Sequence, residues 1–244
     1  QCGFCTPGFV MSLFSMFKNY TKYKDNIIKD SIAGNLCRCT GYQPIIKAAR
    51  SLKNKNKIDY FAKNKKKTIH LLKKINNKSI EIYHKGKKYF APRYVQELKK
   101  ILKNNTNSIL LSGGTDLSLT VTKERKDINS IIYMNSISEL NYIKNDNKYI
   151  EVGASTPLIE FENYIRKYYP DFTQILKRYG SVQIRNVATI AGNVATASPI
   201  GDSLPLLLSL NAQIVLQEFK KRKILFLDNF FISYRKTKMK KGQF

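Results

Sequence analysis

The sequence predicts an α+β multidomain chain: a small helical domain over residues 1–52, a Lys/Asn-rich linker over 53–87, and a larger α+β domain over 88–244. Three observations predict it. All four cysteines of the 244 residues fall near the amino terminus, as Cys2/Cys5 and Cys37/Cys39, with apolar residues at helical spacing around them. From Lys53 to Lys88 the composition turns polar and rich in Lys and Asn, with few Gly or Pro. Beyond it, short apolar runs alternate with helical patterns and glycine-containing turns, as an α+β domain requires.

The helical frame follows from local signals. Thr6 and Pro7 suit a cap and first turn, and Phe9, Val10, Leu13, Phe14 and Phe17 follow on one face. Asp25 to Ala33 carries Ile27, Ile28 and Ile32 and stops at Gly34-Asn35, where the backbone is free to turn toward Cys37. A third helix opens at Pro44 and runs past Leu52. These stripes read as core that pins two loops. The C-x2-C pair and the C-x-C pair, 31 residues apart, offer four thiolates for an iron–sulfur cluster or a zinc ion. Zinc fingers usually space their ligands two to four residues apart, so the C-x-C pair favours iron. A disulfide framework fits less well, because nothing else suggests secretion.

The charge is lopsided, with 43 Lys and Arg against 17 Asp and Glu, a formal +26. Such a balance can drive phosphate binding through counterion release. Here 34 of the 43 cations are Lys, spread along the chain, whereas a nucleic-acid reader concentrates Arg on one stripe. Solvated surface is the simpler reading. As a coil, the linker of 35 residues would span roughly 30 Å, with one short helical piece over 69–75. His70 and His84, the only histidines, lie in it without a partner at ligand spacing, and acid–base catalysis finds little support. No catalytic residue is predicted. An apolar run such as Phe9 to Phe17 is too short to span a bilayer, and a cytoplasmic location is expected.

In the larger domain, Val95 to Leu102 reads as a helix and 108–111 as a strand that runs into Ser112-Gly113-Gly114-Thr115-Asp116-Leu117. Paired glycines after a buried strand let backbone amides approach a phosphate, although the same pattern also makes a plain turn. It is neither G-x-G-x-x-G nor a P-loop, so a Rossmann site is not indicated. Strands at 131–133 and 149–152, a helix over 157–168 and an apolar run over 204–210 complete the pattern. Around Thr189-Ile190-Ala191-Gly192-Asn193, small residues again leave room for a bulky group.

Two sets of strings point further. QCGFCTPGFVMSL and GNLCRCTGYQPI resemble the second [2Fe-2S] domain of the xanthine dehydrogenase and aldehyde oxidase family, the molybdenum hydroxylases. SGGTDL, GSVQIRN, ATIAGN, ATASPIGD and FFISYRKT, in that order, resemble the PCMH-type FAD-binding domain of the same family, and the whole is most like its bacterial small iron–sulfur/FAD subunits. The resemblance implies cluster ligands at Cys2, Cys5, Cys37 and Cys39 and a pterin contact at Gln1. It implies FAD contacts at Leu110, Leu111, Ser112, Gly113, Gly114, Thr115, Asp116 and Leu117, at Tyr179, at Thr189, Ile190, Ala191, Gly192 and Asn193, and at Asp202. Ala191 stands where the family usually has glycine; a positive φ there would strain alanine by about 1 kcal/mol or more.

By the same resemblance the chain is the electron-transfer part of a xanthine dehydrogenase-like enzyme. It would pass electrons from a molybdopterin-binding large subunit through [2Fe-2S] to FAD and on to NAD in hypoxanthine and xanthine oxidation, within a hetero-oligomer, and would not be active alone. The family's first ferredoxin-like domain and the end of its FAD domain are expected to be missing. Two alternatives stay open: a basic four-cysteine zinc module that grips nucleic acid, and a non-catalytic remnant without flavin.

Overall fold

The structure, a computed structural model, describes residues 1–52, 59–75 and 78–244. Its contacts divide the chain into two compact units, Gln1–Asn76 with Gly180–Gln183, and Asn77–Tyr179 with Ile184–Phe244. The architecture is α+β, with an all-helical first unit.

That unit holds α1 (Thr6–Asn19), α2 (Asp25–Ile32), α3 (Gln43–Ser51) and α4 (Tyr60–Lys73). The first three match the predicted helices to within a residue or two at each end. Pro7 lies in the first turn of α1 and Pro44 in that of α3, where the missing N–H costs nothing. Phe9 and Met16 from α1, Ile28 and Ile32 from α2, and Ile46 and Ala49 from α3 form one buried cluster. Arg50 Nε donates to Asp25 Oδ1 at 2.9 Å at the edge of this cluster.

The second unit opens with a hairpin of β1 (Ile80–His84) and β2 (Lys87–Ala91). Lys85 and Gly86, both at positive φ, make the two-residue turn, as the twist of a hairpin prefers. After α5 (Val95–Asn104) come β3 (Ile109–Leu111), α6 (Leu117–Thr122) and β4 (Ser130–Tyr133). The sheet order is β1-β2-β4-β3, with β4 parallel to both β2 and β3. Phe90, Leu98, Leu102, Ile132 and Met134 are buried under it.

A 3-10 turn (Ser138–Leu140) leads to the hairpin β5 (Ile143–Asn145) and β6 (Ile150–Val152), then to α7 (Leu158–Ile165), α8 (Pro170–Arg178), α9 (Val182–Arg185), α10 (Ile190–Thr196) and α11 (Ser203–Ser209). Leu158, Phe161, Ile165, Phe172 and Leu176 pack as a second core with Ala188 and Ile190. The hairpin β7 (Gln213–Glu218) and β8 (Lys221–Phe226) and the short pair β9 (Phe231–Ser233) and β10 (Lys236–Thr237) enclose a third core of Val194, Leu204, Leu216, Leu227 and Phe230.

The Lys/Asn-rich stretch departs most from expectation. Residues 53–58, 76 and 77 of it lie outside the described residues. Of the rest, α4 extends over 14 residues where one short helical piece is predicted, and Asp59 caps it by accepting from the Ala62 amide at 2.8 Å. Strand β1 lies in the same stretch, so the α+β unit is already formed before residue 88. Tertiary pairing explains the difference: the Ile80-Glu81-Ile82 alternation is too short to stand out in a Lys/Asn-rich run, and pairing with β2 fixes it as a strand. Helix α4 has no buried residue, and both histidines are exposed.

Candidate functional site

In the helical unit, two loops present the cysteines. Gly3, at φ 81, lets the chain curl between Cys2 and Cys5, and Cys5 is the residue from which α1 starts. The second loop leaves α2 through Gly34 and re-enters α3 by two left-handed residues, Gly41 and Tyr42. Asn35 anchors it: its Nδ2 donates to Ser12 Oγ at 2.7 Å, and a Cβ on Gly8 would stand only 2.6 Å from Asn35 Oδ1. The Cys37 amide donates to the Tyr42 hydroxyl at 3.0 Å, and the Thr40 hydroxyl donates to Cys37 Sγ at 3.3 Å.

The sulfurs meet as two pairs. Cys2 Sγ and Cys39 Sγ are 3.8 Å apart, and Cys5 shares a side-chain hydrogen bond with Cys37. Among the described residues, no three Cys, His, Asp or Glu side chains form a ready-made metal group. The pairing nonetheless fits a tetrahedral thiolate site, because two sulfurs each about 2.3 Å from one metal stand about 3.8 Å apart. The donor set fits too. Hydrogen bonds from the Thr40 side chain and from the Cys39 and Thr40 amides bring the Cys37 thiol down to about 7. The Phe4 amide and then Cys39 lower Cys2, whereas Cys37 and then burial raise Cys5.

In the α+β unit, the loop 112–116 between β3 and α6 lies against the entry to α10. Gly113 is the contact: a Cβ there would come within 2.2 Å of the Val187 carbonyl oxygen and 2.6 Å of Ala188 Cα. Gly114 sits at φ 72. Ser112 Oγ donates to Asn135 Oδ1 at 2.7 Å, and Arg235 Nη2 pairs with Asp116 Oδ2 at 2.6 Å. Thr189 caps α10, accepting from the Gly192 amide at 3.0 Å. Asn193 Nδ2 then donates to the Tyr179 hydroxyl at 2.9 Å, while Ser203 Oγ bonds Asn193 Oδ1. Burial, then the carboxylates of Asp202 and Asp116, push the Tyr179 phenol up.

The sequence-predicted residues of this unit thus gather in one neighbourhood. Residues 111–117, Tyr179 and 191–193 are all half-buried, so a face is left open along both loops. Amides in a glycine turn and at the start of a helix lack acceptors within the helix and can hold an anion, although here Thr189 already takes the Gly192 amide through its hydroxyl and the Asn193 amide through its carbonyl. Ile190 is buried in the core beside Leu158 and Leu110 packs toward Ile132, so their side chains serve the fold. Ala191 lies in the first turn of α10 and is absent from the positive-φ residues, so the anticipated strain does not arise. The left-handed position is Ala197, just past the helix. Asp202 is exposed and makes no cap hydrogen bond to α11, which leaves its carboxylate available. Gln1 is exposed beside Cys2.

Several residues of the site escape sequence reasoning. Arg235 falls in the string FFISYRKT and Arg185 in GSVQIRN, but nothing local assigns them partners at Asp116 and Glu162. Ser203 and Asn135 carry no sequence signal at all.

Comparison with known proteins covers both units. The family described as [2Fe-2S] binding domain matches residues 1–50, and the family described as FAD binding domain in molybdopterin dehydrogenase matches residues 81–244. Curated relatives include xanthine dehydrogenase of Emericella nidulans, 28% identical over 97% of this chain and 21% of that protein, and xanthine dehydrogenase/oxidase of Gallus gallus, 27% identical over 98% and 23%. The chain therefore spans about a fifth of the length of these relatives. Among solved structures, quinoline 2-oxidoreductase from Pseudomonas putida 86 is similar with a TM-score of 0.60 at 20% identity, over 64% of this chain and 55% of that one. Carbon monoxide dehydrogenase from Hydrogenophaga pseudoflava gives 0.59 at 24%, over 67% and 57%. Those two likenesses speak to the fold. With a [2Fe-2S] domain and an FAD-binding domain of this type in sequence, the chain belongs to the xanthine dehydrogenase family of molybdenum hydroxylases.

Proposed function

We propose that the chain is the electron-transfer part of a xanthine dehydrogenase-like oxidoreductase, linking a molybdopterin-binding large subunit to FAD and then NAD in the oxidation of hypoxanthine and xanthine. The observation that carries this reading is the 3.8 Å approach of Cys2 and Cys39 on a chain that also brings its two glycine loops together. Cys2, Cys5, Cys37 and Cys39 would hold the cluster, with the Thr40 hydroxyl and the Cys39 and Thr40 amides stabilising negative charge on sulfur. Residues 110–117 and 189–193 would cradle the FAD diphosphate with backbone amides, and Tyr179 and Asp202 would flank the rest of the molecule. When bound, the two groups supply one-electron and hydride transfer respectively, and the protein contributes position and electrostatics.

Gln1, exposed next to a cluster ligand, would contact the pterin of the large subunit. Arg235 holds the Asp116 carboxylate at the rim of the flavin loops, so that charge beside the bound group is balanced. The remaining cations are solvated surface in a cytoplasmic hetero-oligomer. No helix among the described residues is long and apolar enough to cross a membrane.

The test is isolation of the chain with its native partners, followed by anaerobic addition of hypoxanthine, xanthine or an aldehyde while the flavin band is watched. Bleaching by the purines, with recovery on NAD, is the expected result. Bleaching by aldehydes alone overturns the purine assignment, and recovery only with oxygen overturns NAD.

A further inference from the structure

We propose that Arg185 is a positioning residue of the flavin site, a buried guanidinium that fixes the Tyr179 turn from behind while Asn193 and Ser203 fix its hydroxyl from the front. The inference rests on the flavin reading of the α+β unit for its functional meaning, and on this chain's own geometry for its physical content.

Arg185 is 2% exposed, and so is unusual for an arginine. Its Nη1 donates to the Lys177 carbonyl at 3.0 Å and reaches the Tyr179 carbonyl at 3.4 Å. Those carbonyls end α8, where the helix presents partial negative charge to a cation. From the other side, Arg185 Nε lies 3.5 Å from Glu162 Oε2 on α7, and Glu162 is itself 3% exposed. Arg166, one turn along, donates to the second Glu162 oxygen at 3.3 Å and holds that carboxylate in place. A guanidinium can serve two carbonyls and a carboxylate at once because its donors point along a planar fork. An ammonium at this position cannot reach all three.

Tyr179 is thereby held at both ends. Its backbone is tied to α7 through Arg185 and Glu162, and its hydroxyl accepts from Asn193, whose Oδ1 is bonded by Ser203. The ring stands between these anchors, beside the carboxylates of Asp116 and Asp202. A ring held this rigidly presents one face to a planar ligand without an ordering cost on binding. Loss of the rear anchor releases the turn and leaves the buried Glu162 with Arg166 as its remaining ion-pair partner.

The test uses the full chain in two forms. In flavin-free protein with ring-labelled tyrosine, the Tyr179 NMR signal is assigned by its loss in Tyr179→Phe. Arg185→Met is expected to shift or broaden that signal while far-UV circular dichroism stays the same. Should Arg185→Met fail to fold, Arg185→Lys replaces it, with a smaller change in the same direction. An unmoved Tyr179 signal in a folded variant overturns the inference.

With FAD added, Arg185→Met and Tyr179→Ala should each weaken binding about tenfold, and the double variant little more than either alone. Additive losses overturn the coupling. A parent chain that binds no FAD contradicts the flavin reading alone, since the apo signal still decides the role of Arg185.

Discussion

The two sites of this chain are built on opposite principles. In the helical unit the proposed chemistry resides in four side chains, and the fold bends two short loops so that Cys2 meets Cys39 and Cys5 meets Cys37. In the α+β unit the proposed chemistry resides mainly in the backbone, and the fold brings residue 113 against residues 187 and 188, more than 70 positions away. Failure therefore takes different forms. The first site should fail by loss of a ligand, with the fold spared. The second should fail by steric displacement, with no ligand removed.

The sharpest break is Cys37→Ser. It removes the thiol that the Thr40 hydroxyl and the loop amides polarise, and iron and acid-labile sulfide should fall to background. Flavin content should stay unchanged, since no flavin-loop residue is altered. Joint loss of both cofactors would show that the two sites are not independent.

Gly113→Ala tests the opposite case. The new Cβ would overlap the Val187 carbonyl at 2.2 Å, so backbone must shift, at a cost of about 1–3 kcal/mol in thermal or denaturant unfolding. Flavin should be lost or weakened while iron and sulfide remain. Wild-type stability in this variant would contradict the packing of the two loops.

Ala191→Gly is a milder probe. Because Ala191 is helical, glycine relieves no strain there and should lower stability by roughly 0.5–1 kcal/mol. A gain in stability would mean that the residue is held in a left-handed conformation after all.

The smallest effect concerns acidity. In metal-free reduced protein, Cys37 has its thiol lowered to about 7, so alkylation should become half-maximal near that pH and rise above it, as thiolate forms. Cys5, whose thiol is raised, should react only at higher pH. Peptide mapping of iodoacetamide adducts across pH 5 to 10 resolves the two, and equal profiles would contradict the hydrogen bonding around Cys37.

This contrast also explains what could be read from the chain before its structure. Cysteine spacing, Pro7, Pro44 and the apolar stripe of α1 are local signals, and the helical unit is legible from them. The glycine loops are legible as turns, but their meeting is not, since the closeness of Gly113 to Val187 is a tertiary fact. For the same reason the sequence does not show that the Ile190 side chain is buried in the core, nor that Arg185 and Ser203, which look ordinary, bond to the Tyr179 carbonyl and to Asn193 beside it. The Lys/Asn-rich stretch hides β1 because the alternation Ile80-Glu81-Ile82 is short and stands in a run whose composition reads as a linker. Ala191 shows the reverse error: motif comparison suggests strain that the backbone, helical at that point, does not have.

Four thiolates and two backbone loops on one chain are expected to hold two different redox groups. The direct test is quantification of iron, acid-labile sulfide, zinc and flavin in anaerobically purified protein, together with its visible spectrum. Equal iron and sulfide, one flavin per chain and no zinc are the expected result. Stoichiometric zinc without sulfide would contradict it and return the basic surface to the centre of the problem.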